Sequence, residues 1–309
     1  WGIGREISGI DIVRPDQRGR MLSGFHGLHT TGMAVGPAFG GVLTELVNFR
    51  AVFVAFAIVA AMAVLLGAIS HNAKPPESVN RLPKRRSSLA AVLGIRPMMR
   101  SFVDLLKQID PAFRATYAVL TFATFSSFLF RMGVQSILPL YASAELGLSP
   151  TETGLLFSIS GGVVFAMILP AGFIIDKVGR KWATVPSNGL PFIALLLIPF
   201  SDTFLQLAAL ISIVGMANGL SLGSLASSTY DIAPAGARGR LQATRRTIAE
   251  TGGIAAPLAG GILADAYGPG VPFVVFAPVL LISALLLAFV AKETLVKHGA
   301  VTEKAPVGG

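Results

Sequence analysis

The chain has no cysteine, so no disulfide framework, thiolate nucleophile or cysteine metal site is available to it. Charge is also scarce: 13% of its 309 residues are Asp, Glu, Lys or Arg, where a soluble domain carries about 25%. Only two Trp, four Tyr and four His are present. No His, Asp and Glu grouping has metal-ligand spacing, so neither a metal nor a cofactor is expected. What fills the chain instead is apolar: 53% hydrophobic residues and a mean hydropathy of +0.69. The few charges cluster, and the stretches between them reach the roughly 20 residues an α-helix needs to cross a bilayer core. In lipid a backbone must satisfy its own hydrogen bonds, which leaves helices or closed barrels. Unbroken apolar runs exclude the barrel, whose strands would alternate. The expected fold class is all-α, a polytopic membrane protein.

Eight candidate spans follow: Met21–Glu45, Ala51–Ile69, Ala115–Leu140, Thr153–Ile175, Trp182–Phe200, Thr203–Ser228, Thr247–Asp265 and Val271–Val290. Net charge is +9. In a soluble protein that excess would point to nucleic acid; here it is better read as flanking charge that sets orientation, with no nucleic-acid partner. If the first span runs outward, the inner segments 1–20, 70–114, 176–181, 229–246 and 291–309 hold 23 of the 25 Lys and Arg. The outer turns hold Arg50 alone, and Arg131 lies within a span. Both chain ends are therefore expected in the cytoplasm. The polar segment 71–114 reads as a cytoplasmic linker between 1–70 and 115–291, with a cytoplasmic tail at 292–309. Within the linker, Phe102, Leu105, Leu106 and Ile109 share one helical face and suggest a short helix on the membrane surface.

An internal repeat at an offset of 220 residues changes the reading. Asp11-Ile12 matches Asp231-Ile232, and Arg18-Gly19-Arg20 matches Arg238-Gly239-Arg240. Thr31-Gly32 matches Thr251-Gly252, and Pro37-x-x-Gly40-Gly41-x-Leu43 matches Pro257-x-x-Gly260-Gly261-x-Leu263. Chance apolar similarity would match Leu and Val, not Asp, Arg-Gly-Arg, Pro and Gly-Gly in register. Duplicated bundles are a mark of secondary transporters, with sites near the midplane between the repeats. The second repeat has six spans and the first only its last two, so four spans are expected before Trp1.

Two motifs now carry a resemblance. Gly32-Met-Ala-Val-Gly36-Pro37-Ala-Phe-Gly40-Gly41 places three glycines at four-residue spacing, so that another helix can approach one face closely. Pro37 removes a backbone hydrogen bond and can kink the helix. Gly172-Phe-Ile-Ile-Asp176-Lys177-Val-Gly179-Arg180-Lys181 has a glycine for a tight turn. Its Asp176 is placed to cap a helix or to pair with a base. The first resembles the antiporter motif, and the second the cytoplasmic loop motif, of the major facilitator superfamily, whose members have two six-helix halves joined by a cytoplasmic linker. The resemblance covers nearly the whole chain, as the last eight of twelve helices. It implies a small-molecule substrate, protons as the coupling ion and a monomer in the cell membrane when full length. The antiporter motif implies export; an uptake symporter is the alternative, and a membrane enzyme or receptor has no supporting constellation. By the same analogy Asp176 faces the start of the first span near His26.

Arg131 is the sharpest single signal. It lies about 16 residues into its span, roughly 24 Å along at 1.5 Å per residue. An intramembrane arginine is costly and usually faces a cavity or partner; the alternative is a side chain that snorkels to the interface. Phe128, Met132 and Gln135 are candidates for the same cavity. Glu250 is a further candidate that carries protons or pairs with Arg246 at four-residue spacing. His26 and His29 begin the first span and are read as solvated. Gly219-Leu-Ser221-Leu-Gly223 matches G-x-S-x-G, but inside an apolar span, where helix packing explains it and a strand-to-helix elbow does not.

Overall fold

The computed structural model describes residues 18–69, 106–234 and 237–294, with the side chains of 18–30, 68–69 and 222 left aside. Among the described residues there are eight long α-helices and no β-strand. They are α1 (Arg18–Leu46), α2 (Phe49–Ile69), α3 (Arg114–Ala144), α4 (Pro150–Phe173), α5 (Arg180–Leu197), α6 (Phe204–Ile232), α7 (Arg238–Tyr267) and α8 (Val271–Phe289). The last seven are long and apolar enough to cross a membrane.

Local chemistry explains where the helices start and stop. At α4, Ser149 Oγ accepts from the Glu152 N–H at 3.2 Å while Glu152 Oε2 accepts from the Ser149 N–H at 2.8 Å, a capping box with Pro150 at the first turn. At α6, Thr203 Oγ1 accepts from the Gln206 N–H. The α3–α4 connection turns at Gly147, whose φ of 64° favours a residue without Cβ. The largest departure from expectation is at α7, which begins nine residues before the anticipated Thr247. Arg245 and Arg246 lie inside the helix because each has a partner there, a compensation that hydropathy does not register.

Helices α3 to α8 form one bundle. Its core runs from Leu129 and Phe130 of α3 through Leu195 and Ile198 to Phe276 and Leu280 of α8. Buried polar residues join the helices as well. Asn188 of α5, fully buried, accepts from Ser283 Oγ of α8 at 3.2 Å, and Ser127 of α3 lies at 3.5 Å. In an apolar surround such bonds have little competition from water. The outside is a belt of exposed apolar side chains, among them Leu169, Phe173, Trp182 and Phe289, and the α2 segment Phe49–Gly67 has no buried residue. A surface of that kind suits hydrocarbon rather than water.

Of the anticipated surface helix in the linker, Phe102 and Leu105 lie outside the described residues. Ile109 is buried against Tyr117 and Leu241, with Leu106 packed beside it, so this end of the segment covers the bundle rather than lying free.

Two helix starts carry the repeat into the fold. α1 begins at Arg18 and α7 at Arg238, the same offset that aligns the sequences.

Candidate functional site

α1 and α4 run antiparallel in backbone-close contact. A Cβ built on Gly161 would lie 2.6 Å from the Ala34 Cα. Cβ atoms built on Gly154 and on Gly41 would run into the carbonyls of Pro37 and Pro150, respectively. Pro37 breaks the backbone ladder of α1, and the N–H of the next residue, Ala38, donates to Ser158 Oγ of α4 at 3.0 Å. Ala34, Pro37, Ala38 and Gly41 thus form the contact face. Gly32, Gly36 and Gly40 share a different face, and among the described residues nothing comes within 4 Å of a Cβ added to them. The spacing identified residues that share a face; the seam with α4 uses the neighbouring one.

α7 packs in parallel on α3 through a stripe at three- and four-residue spacing: Leu241, Arg245, Ala249, Gly252, Ala256 and Gly260 are all buried. A Cβ on Gly252 would lie 2.8 Å from the Phe125 carbonyl oxygen, and one on Gly260 3.0 Å from Ile137. Arg245 falls on this stripe. It donates to Thr124 Oγ1 at 2.7 Å and Gln242 Oε1 at 2.9 Å, and its Nε has no partner among the described residues. Arg246, one residue on and about 100° around the helix, points off the stripe. It pairs with Glu250 at 3.0 Å, both side chains being more than half exposed.

Arg131 of α3 is half-buried. Its Nε donates to Asn218 Oδ1 at 3.3 Å and an Nη to Ser221 Oγ at 3.2 Å, both on α6. Ser221, from the G-x-S-x-G match, therefore serves as a hydrogen-bond acceptor. The Arg131 and Arg246 guanidinium carbons each lie 5.9 Å from the Phe128 ring centre, so two cations share one ring. Met132 lies beside α7, near Gly253. Gln135 is exposed on the same side of α3. No Asp or Glu pairs with Arg131 among the described residues.

The loop motif builds a second constellation. α4 ends in a π-helical turn, Ile174–Val178, and Gly179 with φ 154° reverses the chain into α5. Arg180, whose side chain is 14% exposed, bridges Asp176 at 3.1 Å and Asp231, the penultimate residue of α6, at 3.0 Å. Asp176 is therefore on Arg180 rather than on a helix end. The N-terminus of α5 is capped from beyond α8, where the Glu293 carboxylate accepts from the N–H groups of Arg180 at 2.9 Å and Lys181 at 3.1 Å. Lys181 Nζ donates to the Ala288 carbonyl at 2.7 Å. A Cβ at Gly179 would lie 2.7 Å from Glu293 Oε2, so glycine also makes room for the cap. Gly172 has open space around it. The His26 and His29 side chains lie outside the described residues, so the expected meeting of Asp176 with His26 does too.

The sequence model of the Major Facilitator Superfamily matches residues 10–115 and 120–308. The chain belongs to that family. Members of the Major Facilitator Superfamily are transporters, not enzymes. A probable sulfoacetate transporter, SauU of Cupriavidus necator, is 28% identical over 178 residues, which are 58% of this chain and 41% of that protein. The multidrug resistance protein MdtG of Proteus mirabilis is 32% identical over 167 residues, 52% of this chain and 40% of its own length. The match thus spans about two fifths of each curated relative. Two crystal structures of a mutant of the peptide transporter POT, one with sulfate and one with alafosfalin, share the fold. They have TM-scores of 0.52 and 0.53, at 19% and 18% identity, and the match covers 60% of this chain and 40% and 41% of theirs.

Several residues of this superfamily member escaped sequence reasoning. Asn188 is a lone amide in an apolar stretch, and Glu293 lies 113 residues from its partner Arg180. Arg245 had a readable signal: it occupies the small-residue stripe of α7, where a buried side chain is required.

Proposed function

We propose that this chain is the later part of a secondary active transporter that moves a small molecule by alternating access, and that it exports a small amphipathic or hydrophobic compound in exchange for protons. The observation that carries transport is the α1–α4 seam. It joins α1 of one repeat to α4 of the other, with its closest approaches at Gly41, Gly154 and Gly161. Such a seam lets one bundle rock on the other. The full ten-residue motif lies on the helix that makes the seam and supports export, as does the likeness to a multidrug resistance protein.

In this reading eight helices span the bilayer, as the last eight of twelve, with both ends of this chain in the cytoplasm and a monomeric whole. The repeat supports the missing part. In α7, Gly252 and Gly260 receive α3, and their counterparts in α1 are Gly32 and Gly40. The open Gly32, Gly36 and Gly40 face would receive the first-repeat helix that corresponds to α3.

A second reading, uptake of a metabolite together with protons, is favoured by one observation: among the described residues Arg131 has no carboxylate partner and stands ready for an acid. Similarity to a probable sulfoacetate transporter fits an acidic substrate.

The test is flux through the full-length protein in liposomes under an imposed pH gradient. Export predicts substrate movement opposite to protons, abolished by a protonophore. Flux that ignores the gradient would remove proton coupling, and absence of flux across anionic, neutral and cationic compounds would remove transport itself.

A further inference from the structure

The charges at mid-helix are unbalanced. Among the described residues, α3 carries no acid, and Glu250 is the only carboxylate of α7 away from its ends. Against it stand Arg131, Arg245 and Arg246. Arg245 is turned into the α3 contact and occupied by Thr124 and Gln242. Arg131 has only the neutral acceptors Asn218 and Ser221, which orient a guanidinium without neutralising it. Arg246 is 71% exposed, so its bond to Glu250 is a loose one, easily exchanged for another acceptor.

From this we infer that Arg131 and Arg246, both within reach of Phe128, form a subsite for the carboxylate or sulfonate group of the transported compound. The inference rests on the transport reading above and names the substrate class. Phe128 suits it in two ways. It lies within cation–π range of both guanidiniums, and its apolar ring can contact the body of an amphipathic acid. The two guanidiniums are at most twice 5.9 Å apart, a span that one small acid and its side chain can bridge. Each can offer a forked pair of N–H donors to a planar or tetrahedral oxyanion. Asn218 and Ser221 accept from Nε and one Nη of Arg131 and orient it, so it loses little freedom when its remaining N–H groups bind. The surrounding charges favour an acid over a base. A cationic compound would meet net positive charge here, with Glu250 alone to receive it.

The test uses the full-length protein and probes matched in shape but not in charge: benzoate and benzenesulfonate, with neutral benzamide and cationic benzamidinium. Binding is read as the rise in melting temperature in detergent, independently of flux. The two anions are expected to raise it and the other two not. Arg131→Gln should weaken anion binding roughly 10- to 100-fold, as expected for loss of a charged hydrogen-bonding partner. Arg131→Lys should recover part of it. Arg246→Gln should weaken it less, and provides a variant of an exposed, loosely held side chain. Anion binding that is unchanged in both glutamine variants overturns the subsite. So does a response to benzamidinium alone. An Arg131-dependent shift with phosphatidylglycerol but with neither acid assigns the charge to a lipid headgroup and also overturns it. Liposome flux separates the two claims. Arg131-dependent anion binding without flux of any probe keeps the subsite and removes the transport reading; flux of neutral or cationic probes without anion binding does the reverse.

Discussion

Two adjacent glycines in α4 should respond oppositely to one methyl group. Gly161 faces α1, and a Cβ there would lie 2.6 Å from the Ala34 Cα, 2.9 Å from its N and 3.0 Å from the Met33 carbonyl oxygen. All three are backbone atoms, so no rotamer change relieves the clash. Ordinary carbon contacts begin near 3.5 Å, so Gly161→Ala must move one helix by about 1 Å. Overpacking of this kind costs about 1–3 kcal/mol, against a gain of up to about 1 kcal/mol in helix propensity. Gly162 meets nothing within 4 Å, so Gly162→Ala keeps only the propensity gain. The two variants should therefore differ by about 2 kcal/mol, or more than tenfold in the unfolding equilibrium. Reversible unfolding of the purified protein in mixed micelles, followed by circular dichroism, measures that difference. If Gly161→Ala is as stable as Gly162→Ala, the seam is not close-packed and the pivot reading loses its basis.

Other substitutions probe the loop constellation and the core. Glu293→Ala removes the cap of α5 and should cost about 0.5–2 kcal/mol, while Glu293→Gln, which still accepts, should cost less; the same unfolding assay reads both. Asp231→Asn weakens the bridge to the mostly buried Arg180 and should destabilise by about 1 kcal/mol or more, a larger loss than Asp176→Asn, because Asp176 is 70% exposed. Asn188→Leu leaves the Ser283 hydroxyl without its acceptor and should cost about 0.6–2 kcal/mol. A stabilising outcome would mean that the buried amide serves function rather than the fold.

How much of this was legible depended on what each signal encodes. Apolar runs predicted the places of the eight long α-helices, seven of which are long and apolar enough to cross a membrane, because span length is a one-dimensional property of a chain in a bilayer. The repeat pairs Arg18 with Arg238, where α1 and α7 begin, although the expected spans started at Met21 and Thr247 and missed that register. Rotation about a helix axis was harder. Periodicity grouped Gly32, Gly36 and Gly40 on one face, but which face meets which neighbour depends on the whole bundle. Arg245 and Arg246 show the point most sharply: adjacent in sequence, one is locked in a helix contact and the other is mostly exposed. Glu293 was invisible for a different reason. A cap supplied from 113 residues away leaves no local pattern, unlike the Ser149–Glu152 box, whose two members are three residues apart.

The two repeats also use their shared glycines unequally, and the imbalance bears on mechanism. In α7 the small-residue face is filled by α3, and the same turns of helix carry Arg245 into the core and leave Arg246 facing Phe128. In α1 the equivalent small face is open, and the close contact has moved to the neighbouring face, against α4. One stripe therefore fixes a helix within its bundle, while the other side of the related helix forms a seam between repeats. A helix that must hold its own bundle and also slide on another needs small residues on both faces, and α1 has them: Gly32, Gly36 and Gly40 on one, and Ala34, Ala38 and Gly41 on the other. In the transport reading proposed above, the ten-residue motif is then the overlay of two small-residue stripes, one for cohesion and one for movement. Gly32→Ala should then be tolerated in this chain, where that face is open, and resisted in the full-length protein, where a helix like α3 would cover it. Equal tolerance in both would argue that only the seam with α4 constrains the motif.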